Sequence, residues 1–426
     1  MFKPKQGRLG QPSCPFSPVP EPSAVTLTVL LHIGIISPAL KNSFPPFTVI
    51  SVIHRFMKNS TLLLVAALSL CTVRPTHADP AGTLITPRWN HTATLLLDGR
   101  VLVAGGYVQV SQCCFNPTDT CEIYDPASNS WTPTGSLSVA RESHSAVLLA
   151  DGRVLVTGGQ TLGDSPQTVE IYDPATGRWT LQDPIPVLPG GNLVLLADGR
   201  VLAPGGVGKQ AAKCEVYNPE TGRWPATGSL NIPRSGFQAT RLNDGRVLAV
   251  GGVSPTMPGF IRQCELYDPI TGTWSLSGTL NQSHGSQSQV LLPDGRVMIA
   301  GGVVGPACCA DVTRIVEIFD PNTGAWTVSH PLTTPRADFT ASLLSDGNVF
   351  AAGGYNGVGT TLPLDSIEEF ETATGRWHLL AKTLATARLA HTATTLLDGS
   401  VLIAGGYGNA GQARPVANAE IFVTPH

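Results

Sequence analysis

The chain has 426 residues, 45 of them glycine and 35 proline, and only 13% are charged. Turn residues at that density describe many short strands rather than long helices. From residue 79 onward 17 Arg and 3 Lys face 29 Asp and Glu, a formal net charge of −9. That balance leaves no basic patch for nucleic acid or an anionic membrane surface.

Residues 1–56 carry Pro-rich patches and neither of the two marks, a DG turn and a GG pair, that recur later. The apolar run Ala24–Ile36 is 13 residues long, short of the ~18–20 that span a bilayer. A second beginning stands at Met57. Lys58 supplies a positive start, Leu62–Val73 an apolar core, and Thr76-His77-Ala78 a small-x-small cleavage site, the layout of a secretory signal peptide. The expected organisation is therefore an upstream extension over 1–56, outside the mature protein, a signal peptide over 57–78 cleaved after Ala78, and one domain over 79–426. The expected location is secreted or periplasmic, with no membrane span in the mature chain.

The first unit of that domain reads LLLDGRVLVAGG, a Cys-containing connection, then EIYDPASNSW. Leu95–Leu97 and Val101–Ala104 flank Asp98-Gly99, a pair that suits a tight type I′ hairpin. Glu122–Tyr124 forms a third strand, closed by Asp125-Pro126, and Trp131 opens a fourth. The GG doublet then recurs from Gly105-Gly106 to Gly405-Gly406 with spacings of 53, 47, 46, 50, 52 and 52, seven copies in all, each preceded by a DG turn. Such a unit has two apolar faces and must stack on copies of itself.

A Glu opens every third strand: Glu122, Glu170, Glu215, Glu265, Glu317, Glu368 or Glu369, and Glu420. An aromatic follows it (Tyr124 to Phe422), and a closing Trp appears six times (Trp131 to Trp377). With GG, aromatic and Trp at these distances over 88–426, the chain resembles the kelch-repeat proteins. The resemblance implies an all-β fold, a seven-bladed kelch-type β-propeller of four-stranded antiparallel blades. The seventh unit ends without a Trp strand, so its blade is expected either to be three-stranded or to be closed by a short piece of about 79–84.

Residues repeated in every unit serve the unit. The Glu carboxylates are expected to pair with Arg, either before strand one (Arg88, Arg141, Arg234, Arg336, Arg388) or after the DG turn (Arg100 to Arg296). His91, His144, His284 and His391 are read as one repeated position that Phe237 and Phe339 fill elsewhere, a packing site rather than a metal site. Cys121, Cys214 and Cys264 are read as buried fillers; Cys113 or Cys114 could staple the first long loop to Cys121, with Cys114–Cys121 the chosen disulfide, and Cys308-Cys309 is a vicinal pair. Neither doublet has zinc-site spacing.

The segment between GG and Glu runs 15, 10, 8, 12, 14, 13 and 13 residues. Variable loops on a rigid scaffold are where binding is carried. The candidates on that face are Trp89, Tyr107, Phe260, Arg262, Tyr355 and Arg414. No catalytic residue, metal or cofactor is assigned. The expected function is a non-catalytic binding or scaffold propeller whose partner is a protein or glycan. The resemblance also admits a carbohydrate-acting enzyme, copper-radical-oxidase-like or sialic-acid-mutarotase-like, and a structural or adhesion protein of the envelope is a further alternative.

Overall fold

The computed structural model describes residues 77–111, 114–163, 166–305, 311–357, 362–409 and 413–423. Expectations that fall on residues 1–76, on Cys113 or on Cys308–Cys309 lie outside the described residues.

Seven four-stranded antiparallel sheets form among the described residues. In the first, Thr92–Leu95, Val101–Ala104, Cys121–Asp125 and Ser130–Thr134 lie side by side in chain order. The second strand of every sheet is buried along its whole length. That burial explains why Val101–Ala104 and its copies are continuous apolar runs rather than alternating ones. The first strands stand next to one another in order, and Thr392–Thr395 of the seventh returns to Thr92–Leu95 of the first. The sheets are thus blades of a closed ring.

Seven apolar cores hold the ring, and each spans one junction between neighbouring blades. At the junction of blades three and four, for example, Leu202, Cys214 and Val216 meet Ala249, Tyr267 and Trp274. The closing Trp tilts across the strand-three aromatic, as with Tyr124 and Trp131 at 5.0 Å between ring centroids.

The tight turns differ from expectation. The DG turns are three-residue loops and not type I′ turns. The Gly99 N–H donates to Leu96 O at 3.0 Å, the Leu96 N–H donates to Arg100 O at 2.8 Å, and Gly99 alone takes a positive φ of 86°. Leu97, read as strand, is part of the loop and 67% exposed. This is the type I turn with a left-handed glycine that three-residue hairpins favour.

Of the two outcomes expected for the seventh blade, closure by the piece at about 79–84 is the one observed, and the blade has four strands. Asp79–Thr83 pairs antiparallel with Asn418–Phe422, setting Asp79 opposite Ile421 and Thr83 opposite Asn418. Ala81 and Leu84 enter the core between blades seven and one. No Trp stands there; Lys382 lies 5.5 Å over the Phe422 ring and 3.5 Å from the Asp79 carboxylate.

Candidate functional site

A repeated ion-pair frame holds the loops that enter the inner strands. In blade one Arg88 is fully buried. It donates to Gly105 O at 2.8 Å, Thr120 O at 2.7 Å and Glu122 Oε1 at 2.7 Å. Glu122 in turn accepts the N–H groups of Ile85 and Thr86 at 2.7 and 2.9 Å. Every charge is therefore both paired and hydrogen-bonded, the condition for keeping an ion pair inside a protein.

The same pair recurs as Arg141–Glu170, Arg234–Glu265, Arg336–Glu368 and Arg388–Glu420. Of the two expected partners the pre-strand arginines are the ones used, and Glu368 rather than Glu369 is the repeat member. The arginines after the DG turns bind the turn aspartates instead, as Arg100 binds Asp98 at 2.7 Å. Blade five substitutes His284, whose Nε2 lies 3.3 Å from Glu317. His284 thus occupies the arginine position and not the histidine column, where Gln287 stands. In blade three Leu188 fills the place, and Glu215 receives only the Val187 N–H at 3.2 Å. Burial raises the Glu215 pKa.

Just before the inner strand, six of the seven blades carry one residue in left-handed conformation: Asn90, Ser143, Ser286, Asp338 and Ala390 at φ of 49–52°, and Gly236 at 64°; Gly190, the blade-three equivalent, does not. A chain of backbone hydrogen bonds links four of them. Ser143 N–H donates to Asn90 O at 2.9 Å, Asn90 N–H to Ala390 O at 3.1 Å, and Ala390 N–H to Asp338 O at 3.1 Å. Together these four form a hydrogen-bonded lip at the channel mouth over blades six, seven, one and two. Just outside it lies the residue after each GG pair. In blades six, seven and one this is Tyr355, Tyr407 and Tyr107; in blades three, four and five it is Val207, Val253 and Val303. The mouth therefore has an aromatic side and an aliphatic side.

On the aromatic side Trp89 stacks on Tyr107 at 5.2 Å and meets Phe115 at 4.8 Å and Tyr407 at 5.1 Å. Phe115 comes from the hairpin formed by Tyr107–Ser111 and Cys114–Pro117, and Tyr407 from that formed by Tyr407–Asn409 and Ala413–Pro415. The packing welds the loops of blades one and seven into one wall. A groove of about 560 Å3 runs along it, lined by Thr86, Pro87, Val108, Val110, Arg414 and Pro415 among others.

Of the six predicted binding-face residues, then, Trp89 and Tyr107 touch and Arg414 borders the same groove. Tyr355 stands two blades back along the mouth. Phe260 and Arg262 belong to blade four. The Phe260 ring covers Gly285, and Arg262 turns outward to donate to Leu280 O at 2.8 Å. Phe115 and Tyr407 complete the wall although neither was predicted; the post-GG column of tyrosines was the available signal for Tyr407.

The Cys114–Cys121 staple does not form. Cys121 is a free thiol in the core between blades one and two, beside the Asp119 carbonyl at 3.5 Å. Cys114 pairs with Ser111 at the far tip of the hairpin, so the strands carry it away from Cys121. Burial pushes the thiols of Cys121 and Cys264 up to about 12 and that of Cys214 to about 11. All three are inert fillers.

Two acids edge the aromatic arc. Glu142, 3% exposed, accepts from Asn90 Nδ2 at 3.2 Å and from the Ser143 hydroxyl, both on Oε2. Asp338 reaches solvent at the lip, but protein crowding raises its pKa, opposed by a hydrogen bond from Ser286. Burial raises the Tyr107 and Tyr355 phenol pKa values, reinforced by Glu142 and Asp338 respectively.

His91, His144 and His391 sit beneath the lip in blades one, two and seven. Each Nε2 meets a threonine of the preceding blade: Thr392 at 3.0 Å, Thr92 at 2.9 Å and Thr340 at 2.8 Å. Each Nδ1 is buried without a partner. Desolvation holds His144 and His391 down at about 3 and His91 well below its ordinary value. Neutral rings committed to separate threonines at separate blade junctions do not make a metal-ligand set. Among the described residues no group of three His, Cys, Asp or Glu side chains could hold a metal ion.

Comparison with known proteins agrees with this architecture. The family model described as the Kelch motif matches residues 88–138, 143–184 and 338–383. The chain is 32% identical over 71 residues to the Kelch-like protein terF of Aspergillus terreus (strain NIH 2624 / FGSC A1156), covering 16% of each protein. Among solved structures it is similar to a novel fungal alcohol oxidase of the AA5 family in complex with copper. The TM-score is 0.65 at 19% identity, covering 82% of this chain and 76% of that one. At that identity the likeness concerns the fold alone. The molecule is a β-propeller that carries kelch motifs.

Proposed function

We propose that this chain is an exported, non-catalytic binding propeller that offers the mouth and the wall of blades one and seven to a protein partner. The observation that carries this reading is the gathering of Trp89, Tyr107, Phe115 and Tyr407 beside an open groove, on hairpins of unequal length set on a rigid frame. Aromatic residues on a wall beside a groove are typical interface anchors.

The test is site-specific photo-crosslinking in the native host from Val110, 55% exposed on the wall, and from Leu181, 60% exposed on an outer strand. Adducts from Val110, competed by unmodified protein and absent from Leu181, support the reading. Equal labelling from both sites overturns it. An oxidase role resembling the copper enzyme would need a ligand set at the axis, and the described histidines do not supply one.

For export, the supporting features are the segment 57–78 and the closing strand, which begins at Asp79, directly after the expected cleavage point. Peptide mapping of secreted material is expected to find an N-terminus at Asp79; peptides from 1–56 would contradict it.

A further inference from the structure

Six of the eight buried glutamates have an Arg or His partner; Glu215 and Glu142 have none among the described residues. Glu215 holds a repeat position whose partner has become Leu188. Glu142 is different. It lies outside the repeat frame, at the channel mouth, where the other blades carry Trp89, Pro189, Ser235, Gly285, Ala337 and Leu389. A carboxylate held 3% exposed without a counter-charge is costly unless a cation arrives from elsewhere.

Its surroundings specify the kind of cation. Both of its protein hydrogen bonds fall on Oε2, one of them from Asn90, whose neighbour Trp89 pairs with and stacks on Tyr107. Across the lip Asp338 follows Ala337, which pairs with Tyr355, and likewise lacks an ion-pair partner among the described residues. The backbone bonds through Ala390, Asn90 and Ser143 fix the two acid–tyrosine pairs relative to one another. Aromatic faces beside carboxylates suit a guanidinium or ammonium group, which takes a charge-assisted hydrogen bond and a cation–π contact together.

Resting on the binding reading above, we infer that the mouth takes basic side chains, and that its partner is a protein segment with at least two Arg or Lys residues, one for Glu142 and one for Asp338. The excess of acid over base from residue 79 onward favours the encounter with such a segment.

The probe is fluorescein-labelled Ac-Gly-Arg-Gly-Arg-Gly-NH2, compared by fluorescence anisotropy with the same peptide carrying Glu for Arg. The basic peptide is expected to bind, more tightly at low salt, and the acidic one not to bind. E142Q and D338N should each weaken binding by about fivefold or more, the scale of one partly desolvated charge pair. E220Q, which removes an exposed acid from an outer turn, should change it by less than about twofold. Near-UV circular dichroism checks that the variants are folded. Equal weakening by E220Q, or no preference between the peptides, overturns the inference. Failure of the basic peptide while Val110 crosslinks persist would sink the cationic ligand and spare the binding reading; failure of both would sink both.

Discussion

Replacing His144 by Phe tests how the buried histidines are held. Phe237 and Phe339 already occupy the equivalent place in blades four and six, and Phe237 rests against Gly205 as His144 rests against Gly105. The cavity therefore accepts the ring. At neutral pH the change removes the 2.9 Å contact with Thr92, a loss of about 1 kcal/mol. It also removes an Nδ1 that has no partner, a gain of similar size, so the net change should be small.

Acid separates the two proteins. The folded His144 has a pKa of about 3 against 6.5 for the free side chain. Between those values the unfolded chain binds a proton and the native one does not. Native stability is therefore complete above the unfolded pKa and falls as pH drops toward the folded one. The loss is about 1.4 kcal/mol per pH unit, or about 2.7 kcal/mol at about pH 4.5. H144F should keep that increment, and H144F/H391F about twice as much, since His391 is held down equally. Urea unfolding followed by tryptophan fluorescence at pH 7 and about pH 4.5, at constant ionic strength, measures the difference. Equal acid sensitivity in wild type and variant would refute the reasoning.

Other perturbations have definite outcomes. Glu170→Ala strands the fully buried Arg141 and should cost about 3–5 kcal/mol in denaturant titrations while leaving peptide affinity intact. Ala390→Gly relieves a φ of 51° and should raise stability by about 0.5–1 kcal/mol; a loss in calorimetry would contradict the strain. Leu84→Ala empties a site in the closing-strand core that is 2% exposed, for about 2–5 kcal/mol. Its effect should appear as earlier hydrogen exchange at Asn418–Phe422.

The architecture was legible because seven copies repeat the same local chemistry. GG, the strand-three Glu and the closing Trp each mark a position whose environment is the same in every blade. The Arg partner could be guessed from charge alone, whereas the choice between two arginines needed the fold. His284 was placed in the wrong column because chemical likeness was followed; counting ten residues back from the DG aspartate puts it with the arginines. The DG pair also read as a two-residue hairpin because sequence does not show Leu97 leaving the strand. The mouth was the least legible part. Trp89 and Tyr407 come from opposite ends of the chain and meet only because the ring closes. Glu142 and Asp338 occupy positions with no repeat identity, so no pattern announced them. Phe260 pairs with Val253 and covers Gly285 on the aliphatic side of the mouth, away from the wall of blades one and seven, and Arg262 donates to Leu280 O.

Hydrogen–deuterium exchange of the propeller with its crosslinked partner bound bears most directly on the binding site. Protection is expected at 85–91, 107–111, 138–144 and 386–391, the loops of the mouth and its wall. Protection confined to the opposite face, at the DG turns around 97–100 and 151–153, would contradict it.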